Sequence, residues 1–314
     1  MLYIGVDLGG TNIAVGLVNE QGEIIAKGST PTALPRPYQD IIADIAAETQ
    51  RVVAKAGRTM EEVKAIGAGV PGVCNPKTGT IVECVNLHWK EIPFEAEMKK
   101  HIDKPVYLDN DATVAGLAEA VAGVSAGIEN SVFLTLGTGV GGGIVIGGKV
   151  YSGTHNVGSE LGHMIIEMDG ELCNCQNRGC FERYASATAI ILDGRRAMAA
   201  HPESLLGTLC GGDPEKMEAK TVFDAAKEGD EIALKVFRRY IKGLATGIVN
   251  IINILDPEVV VLGGGVSKAG DFLLDAVREA VKPHILFKAM PYARIELAKL
   301  GSDAGIIGAA MLGR

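Results

Sequence analysis

The sequence predicts an α/β protein made of two copies of one β-β-β-α-β-α unit, and three observations carry that prediction. Strand-forming residues lead into a glycine turn and resume after it at Gly9-Gly10-Thr11, and the pattern returns at Gly137-Thr138-Gly139. In both places a helical pattern and a buried-strand run follow, which marks an internal duplication. The third observation is that the later strand run, Glu258 to Leu262, also ends in glycines, Gly263-Gly264-Gly265.

In chain order, Leu2 to Val6 is a β-rich run that ends in Asp7-Leu8-Gly9-Gly10-Thr11-Asn12. Ile13 to Val18 resumes the strand, and Asn19 to Glu23 turns the chain into Ile24 to Ser29. Glycines beside a threonine leave backbone N–H groups and a hydroxyl to face a phosphate, and the preceding Asp7 can hold a magnesium ion. A plain hairpin has the same look. From Tyr38 to Ala56, the residues Ile41, Ile42, Ile45, Ala46, Val52 and Val53 recur at helical spacing and predict an amphipathic helix packed on the sheet. Val63 to Val70 is the next strand and ends in Pro71-Gly72. Val106 to Leu108 then delivers Asp109-Asn110-Asp111 to the start of a small-residue helix running to about Gly123. Asp and Asn are favoured there as helix caps, and a carboxylate there is equally what a phosphotransfer enzyme needs to take the proton of an attacking hydroxyl.

In the second copy, Ser131 to Leu136 leads through the turn Gly137 to Gly143 into Ile144 to Ile146, and Gly147-Gly148 turns the chain into Lys149-Val150-Tyr151. A helical pattern through Tyr240 to Ile254 precedes Pro257 and the strand Glu258 to Leu262. Ala199 to Lys220 reads as an exposed insertion between helices. Asp303 to Met311 reads as a final helix with Ala304, Gly305, Gly308, Ala309 and Ala310 on close-packing faces.

A chain of 314 residues, 47% hydrophobic and 22% charged, has ample core for two medium domains. Its 41 glycines gather at the ends of apolar runs, where backbone approaches a ligand. A formal charge of −8 and the lack of a Lys/Arg block argue against a nucleic-acid surface. No apolar segment reaches membrane-spanning length and Met1 leads straight into a strand, so a cytoplasmic protein without a signal peptide is expected. Cys74, Cys84 and Cys210 stand apart and read as reduced structural thiols.

The densest chemistry lies in Glu160-Leu161-Gly162-His163 followed by Cys173-Asn174-Cys175-Gln176-Asn177-Arg178-Gly179-Cys180-Phe181-Glu182. Three of the six cysteines fall in this run, and a thiolate-rich set with one imidazole is what a closed tetrahedral zinc site wants. The alternative is a group of buried thiols around a core histidine. The C-x-C step is too short for a nucleic-acid zinc finger, and a disulfide is not expected in the cytoplasm.

Glu-x-Gly-His followed by Cys-x-Cys-x4-Cys-x-Glu resembles the signature of the ROK sugar kinases, a family that includes zinc-containing bacterial glucokinases. The resemblance covers nearly the whole chain; Ser159, where many relatives carry Ala, is a small departure. It implies that His163, Cys173, Cys175 and Cys180 bind a structural zinc, and that Glu160, His163 and Glu182 grip sugar hydroxyls. The duplicated units likewise resemble the actin, hexokinase and Hsp70 (ribonuclease H-like) superfamily, with two domains around a nucleotide and sugar cleft. That likeness implies that Asp7, Gly9, Gly10, Thr11 and Asn12 form the first phosphate turn with its magnesium. It assigns Thr138, Gly139 and Gly141 to the second phosphate turn and Gly264 and Gly265 to the nucleoside. Asn110-Asp111 matches the family's base motif, making Asp111 the catalytic base and Asn110 a sugar ligand, with Gly72 and Asn86 on the sugar's far side and Asp109 structural. Trp89 is a core residue or a pocket wall.

The implied activity is ATP-dependent phosphorylation of a hexose at its 6-hydroxyl, with glucose favoured; an N-acetylmannosamine kinase or a sugar-sensing repressor of the same family are the rivals. A smaller domain is expected over residues 1–118 with a returning helix at about 302–314, a larger one over 119–301, and a homodimer or homotetramer as the assembly.

Overall fold

The computed structural model describes residues 1–314 and runs through β1 (Leu2–Leu8), β2 (Asn12–Asn19), β3 (Ile24–Pro31), α1 (Tyr38–Lys55), β4 (Val63–Val70), β5 (Val73–Asn75), β6 (Thr80–Cys84), β7 (Trp89–Ile92), α2 (Phe94–Met98), β8 (Val106–Asn110) and α3 (Asp111–Ala122). It continues with β9 (Ser131–Leu136), β10 (Val140–Ile146), β11 (Lys149–Val150), α4 (Glu182–Ala185), α5 (Ala187–Ala200), α6 (Leu205–Leu209), α7 (Ala219–Lys227) and α8 (Glu231–Leu255). β12 (Val259–Gly263), α9 (Asp271–Val281), β13 (Arg294–Leu297) and α10 (Ala304–Met311) complete it. The chain divides into unit 1, residues 1–133, 143–159 and 299–314, and unit 2, residues 134–142 and 160–298.

In unit 1 the first sheet has the order β3-β2-β1-β4-β8, with β2 antiparallel to β1 and to β3, and β4 parallel to β1 and to β8. Side chains alternate along β1, so Ile4, Val6 and Leu8 join one apolar layer with the buried stripe of α1. Tyr3, Gly5 and Asp7 point to the other face, where α10 lies. Here the backbones nearly touch: a Cβ on Gly5 would sit 1.8 Å from the Ile306 carbonyl oxygen, and one on Gly308 would sit 1.7 Å from that of Val114. The small residues of the last helix are thus what lets it lie flat between β1 and α3. Glu119 is fully buried, yet its carboxylate accepts N–H bonds from Val124, Lys299 and Leu300 at 2.8, 2.8 and 2.9 Å, which offsets the cost of burying its charge. A small sheet, β5-β6-β7, also belongs to this unit, and its Trp89 is a core residue set edge-on to Tyr38.

A second five-stranded sheet has the order β11-β10-β9-β12-β13; unit 2 holds residues 134–136 and 140–142 of it together with β12 and β13. β12 is buried at every position and runs parallel to β13. The long helix α8 starts at Asp230, whose carboxylate caps it through Ala233 N–H at 2.7 Å, and it buries Phe237 and Tyr240 among Phe223 and Phe272. The insertion expected over Ala199 to Lys220 is not simply exposed. It forms α6 and tucks Leu206, Cys210 and Met217 into the core, because its scattered apolar residues cover the ends of α5 and α7. No helix of the chain is long and apolar enough to cross a membrane.

Candidate active site

In unit 1 the turn between β1 and β2 closes with Gly9 N–H donating to Asn12 O at 3.1 Å. Thr32, fully buried, braces it twice: its N–H donates to Thr11 O at 2.9 Å and its hydroxyl to Gly9 O at 2.7 Å. Thr11 and Asn12 stay exposed at the tip. Asp7, next to last in β1, lies beside the start of α10, where a Cβ on Gly305 would come within 2.6 Å of its carboxyl carbon, and burial holds the Asp7 carboxyl above the ordinary carboxylate range. Gly10 approaches Asn86, its Cβ direction 3.7 Å from Asn86 O.

The end of β8 brings the next group together. Asn110, not Asp111, is the cap of α3: its backbone is extended, and its side-chain oxygen accepts from Ala112 N–H at 2.9 Å and Thr113 N–H at 3.4 Å. Asp111 is therefore the first residue of the helix, exposed, with Oδ1 accepting from Ala112 N–H at 2.8 Å. Asn110 Nδ2 donates to Gly72 O at 3.3 Å, and Gly72 lies so close to β6 that a Cβ there would meet Glu83 O at 2.2 Å. Asp109 is held from behind by Asn110 N–H at 2.7 Å and by the Ser152 hydroxyl at 3.1 Å, while burial raises its pKa above the ordinary 3.8. Ser159 takes φ +67 and donates to Tyr151 O at 2.7 Å.

In unit 2 the four ligand atoms of His163, Cys173, Cys175 and Cys180 all lie within 4.8 Å of one another. Cys175 Sγ is 3.5 Å from Cys180 Sγ, and His163 Nδ1 is 3.8 Å from Cys173 Sγ. A tetrahedral zinc site has roughly 3.6–3.8 Å between ligand atoms, so the donor set fits that ion in kind and in size. Nδ1 is the ring nitrogen that faces the thiols, which leaves Nε2 on the opposite edge. The Asn177 N–H holds the Cys175 thiol down to about 7, whereas burial pushes Cys180 up to about 12; a bound metal deprotonates both. Glu160 is exposed just before the 3-10 turn that carries His163.

Glu182 opens α4, and tight packing sets its position. Phe181 and Tyr184 on either side press on Gly247 and Gly243 of α8, where a Cβ would come within 2.4 and 2.6 Å of them, and Tyr240 OH donates to Ala185 O at 2.9 Å. From there Glu182 Oε2 accepts from Val140 N–H at 3.0 Å, with Oε1 4.0 Å from Cys173 Sγ. The turn it reaches is the second glycine turn, where Gly137 N–H donates to Gly139 O at 3.0 Å. Thr138 is exposed at its tip, with Gly141 just inside β10. Ala187 N–H donates to Gly137 O at 2.7 Å and Thr188 Oγ1 to Thr138 O at 2.6 Å. Gly264, at φ +82, packs against the end of β9, with its Cβ direction 2.6 Å from Leu136 N, while the Cβ direction of Gly265 is open. Sequence reasoning missed Thr32, Val140, Ser152 and Thr188, whose partners lie 23 to 50 residues away along the chain.

Comparison with known proteins adds a second line. The ROK family profile matches residues 3–314. A glucokinase from Thermotoga maritima is 40% identical over 310 residues, covering 98% of this chain and 96% of its own. A glucokinase from Halalkalibacterium halodurans is 37% identical over 314 residues, covering 99% and 94%. The crystal structure of a ROK family glucokinase from Streptomyces griseus in complex with glucose and AMPPNP superposes with a TM-score of 0.82 at 34% identity, covering 99% of both chains.

Proposed function

The chain belongs to the ROK family, and from that premise we propose that it is an ATP-dependent glucokinase. The 6-hydroxyl of glucose attacks the γ-phosphoryl group of ATP, the bond from that phosphorus to the bridging oxygen breaks, and glucose 6-phosphate and ADP leave. Asp111 accepts the hydroxyl proton; that capping of α3 falls to Asn110 supports this role. Asn110 offers the second hydrogen of its amide to a sugar hydroxyl, and Gly72 and Asn86 border the same sugar. Glu160, Glu182 and the Nε2 edge of His163 are the hydroxyl ligands in unit 2.

The turn Gly9, Gly10, Thr11, Asn12 and the turn Thr138, Gly139, Gly141 hold the phosphates, and Gly264 and Gly265 meet the nucleoside. Asp7 would hold magnesium directly or through water, and the ion would neutralise charge on the phosphoryl oxygens. His163, Cys173, Cys175 and Cys180 would hold zinc with four protein ligands, and its part there would be to order the loop. Such thiolate ligands suit the reducing cytoplasm.

The observation that supports this reading is the bond from Val140 N–H to Glu182, which joins the carboxylate we assign to the sugar to the glycine turn we assign to phosphate. A coupled ADP-release assay over hexoses and N-acetylhexosamines tests it. Glucose should raise ADP release most. No sugar raising it above background would overturn the kinase reading, and a preference for N-acetylmannosamine would replace the substrate.

A further inference from the structure

The His–Cys loop and the second glycine turn meet at one residue, Val140, through both its N–H and its carbonyl. Val140 N–H donates to Glu182 Oε2 at 3.0 Å. Its carbonyl oxygen lies against Gly162, where a Cβ would be only 2.0 Å away. Gly162 precedes the ligand His163, and Glu182 follows the ligand Cys180 by two residues. The fit is equally close from the other direction, since a Cβ on Gly139 would sit 2.2 Å from Glu182 Oε2. Two glycines and one carboxylate thus have stereochemical reasons to be where they are that concern neither the metal nor any ligand directly.

We propose that Glu182 and Gly162 are positioning residues through which the metal loop shapes the glycine turn, so that occupancy of the His–Cys site sets the affinity for nucleotide phosphate. The second half of that statement rests on reading Thr138 to Gly141 as a phosphate turn. The two kinds of contact on this turn differ in what stands behind them. Ala187 and Thr188 grip Gly137 and Thr138 from the start of α5, which is packed on α7 and α8. Glu182 and Gly162 grip Val140 from the two ends of a loop in which Phe181 alone is anchored on α8, while Ile165, Met168 and Leu172 lie exposed, Gln176 takes φ +72 and Cys175 is exposed, so apolar burial holds little of what lies between them. Four metal bonds are the strongest restraint such a loop can have. When they are lost, the contacts at Gly137 and Thr138 persist and the contact at Val140 loosens. A hydrogen bond to a charged acceptor is strong enough that its loss corresponds to roughly tenfold or more in an equilibrium. Linkage then requires the reciprocal effect: nucleotide must tighten metal binding by the same factor that metal tightens nucleotide.

The test uses the full chain, without sugar. Amide hydrogen exchange is measured by mass spectrometry on the zinc-loaded protein and after chelation, over a peptide containing Val140 and a peptide containing Ala187. Chelation should raise exchange at Val140 by about tenfold or more and leave Ala187 protected. Glu182→Ala should show the raised Val140 exchange with zinc still bound. Gly139→Ala, which displaces the Glu182 carboxylate without changing the loop, should weaken zinc in competition with a chelator of known affinity; this covers the case in which Glu182→Ala fails to fold. Magnesium ADP titrated by calorimetry should bind the zinc-loaded wild type about tenfold or more tighter than the chelated protein, and should tighten zinc equally. Equal Val140 exchange with and without metal would overturn the coupling. Failure of magnesium ADP to bind the zinc-loaded protein at all would instead overturn the reading of this turn as a phosphate site.

Discussion

The two glycine turns use the same backbone device and are held in opposite ways. The first is braced by Thr32, a fully buried residue of its own unit, and lies at the end of a strand whose two faces are covered by α1 and α10. The second is braced at Val140 by Glu182 and Gly162, which flank a loop whose Ile165, Met168 and Leu172 lie exposed and whose metal-type ligands gather in one cluster. Apolar burial keeps the first turn formed whenever the sheet is formed, while the second needs its loop ordered as well. Duplication supplied two similar turns, and the difference in their supports makes only one of them responsive.

The sharpest way to sharpen that contrast is to remove chemistry from the permanently braced side. Asp111→Asn leaves the Asn110 cap in place, so kcat should fall by about 10²-fold or more at saturating sugar, with zinc content and Val140 protection unchanged. Near-normal turnover would place the base elsewhere. Next in size is removal of the conditional support. Cys180→Ala should lose zinc and, by misplacing Glu160, His163 and Glu182, cost on the order of 10² in rate. Its sugar affinity should fall, and the first turn should keep its exchange protection. A variant that keeps sugar affinity and zinc-free activity would show that the loop is ordered without metal.

Much of this arrangement is legible in the sequence, and the boundary of legibility is physical. Patterns of period two and 3.6 are local, so β1 to β4, α1, α8 and β12 can be read from residues such as Ile4, Val6 and Leu8 or Ile41, Ile45 and Val52. Spacing alone also groups His163 with Cys173, Cys175 and Cys180. The small sheet from Val73 to Ile92 is not legible, since its strands are three to five residues long and too short to show a period. Nor is the Asn110 cap separable from Asp111 in sequence, because both residue types cap helices and only the extended backbone at Asn110 decides between them. The supports of the two turns are illegible for a different reason: Thr32 to Gly9 and Glu182 to Val140 are single hydrogen bonds between distant residues, and no periodicity records them.

A smaller effect tests the brace of the first turn directly. Thr32→Val keeps the shape of the side chain and removes the hydroxyl that donates to the part-buried Gly9 O, at a cost of about 1 kcal/mol. Denaturant unfolding should show that loss equally in zinc-loaded and chelated protein. A loss that depended on zinc would mean that the first turn, too, is conditional.

The smallest expected effect concerns pH, where acids of the two regions should act with opposite sign. Burial raises the Asp109 carboxyl above its ordinary 3.8, so the folded chain holds its proton longer than the unfolded chain does. Stability from this group is highest below the ordinary value, falls as pH rises towards the folded value, and stays at that lower level at neutral pH. Glu171, in the metal loop, is shifted the other way, first by its hydrogen bond from Arg196 at 2.8 Å and then by Arg196, Arg183 and Arg239 as charges. Its contribution is present above the ordinary 4.5 and is lost as pH falls through the lower folded value. Because Glu171 is partly exposed, screening limits it to about 0.2–1 kcal/mol. Asp109→Asn should therefore be no less stable than wild type at pH 7 and should flatten the acid side of the stability curve. Glu171→Gln should be slightly less stable at pH 7 and should converge on wild type in acid. Denaturation midpoints measured from about pH 3 to pH 7 decide the matter, and two curves that moved in the same direction would mean that the two regions do not treat charge differently after all.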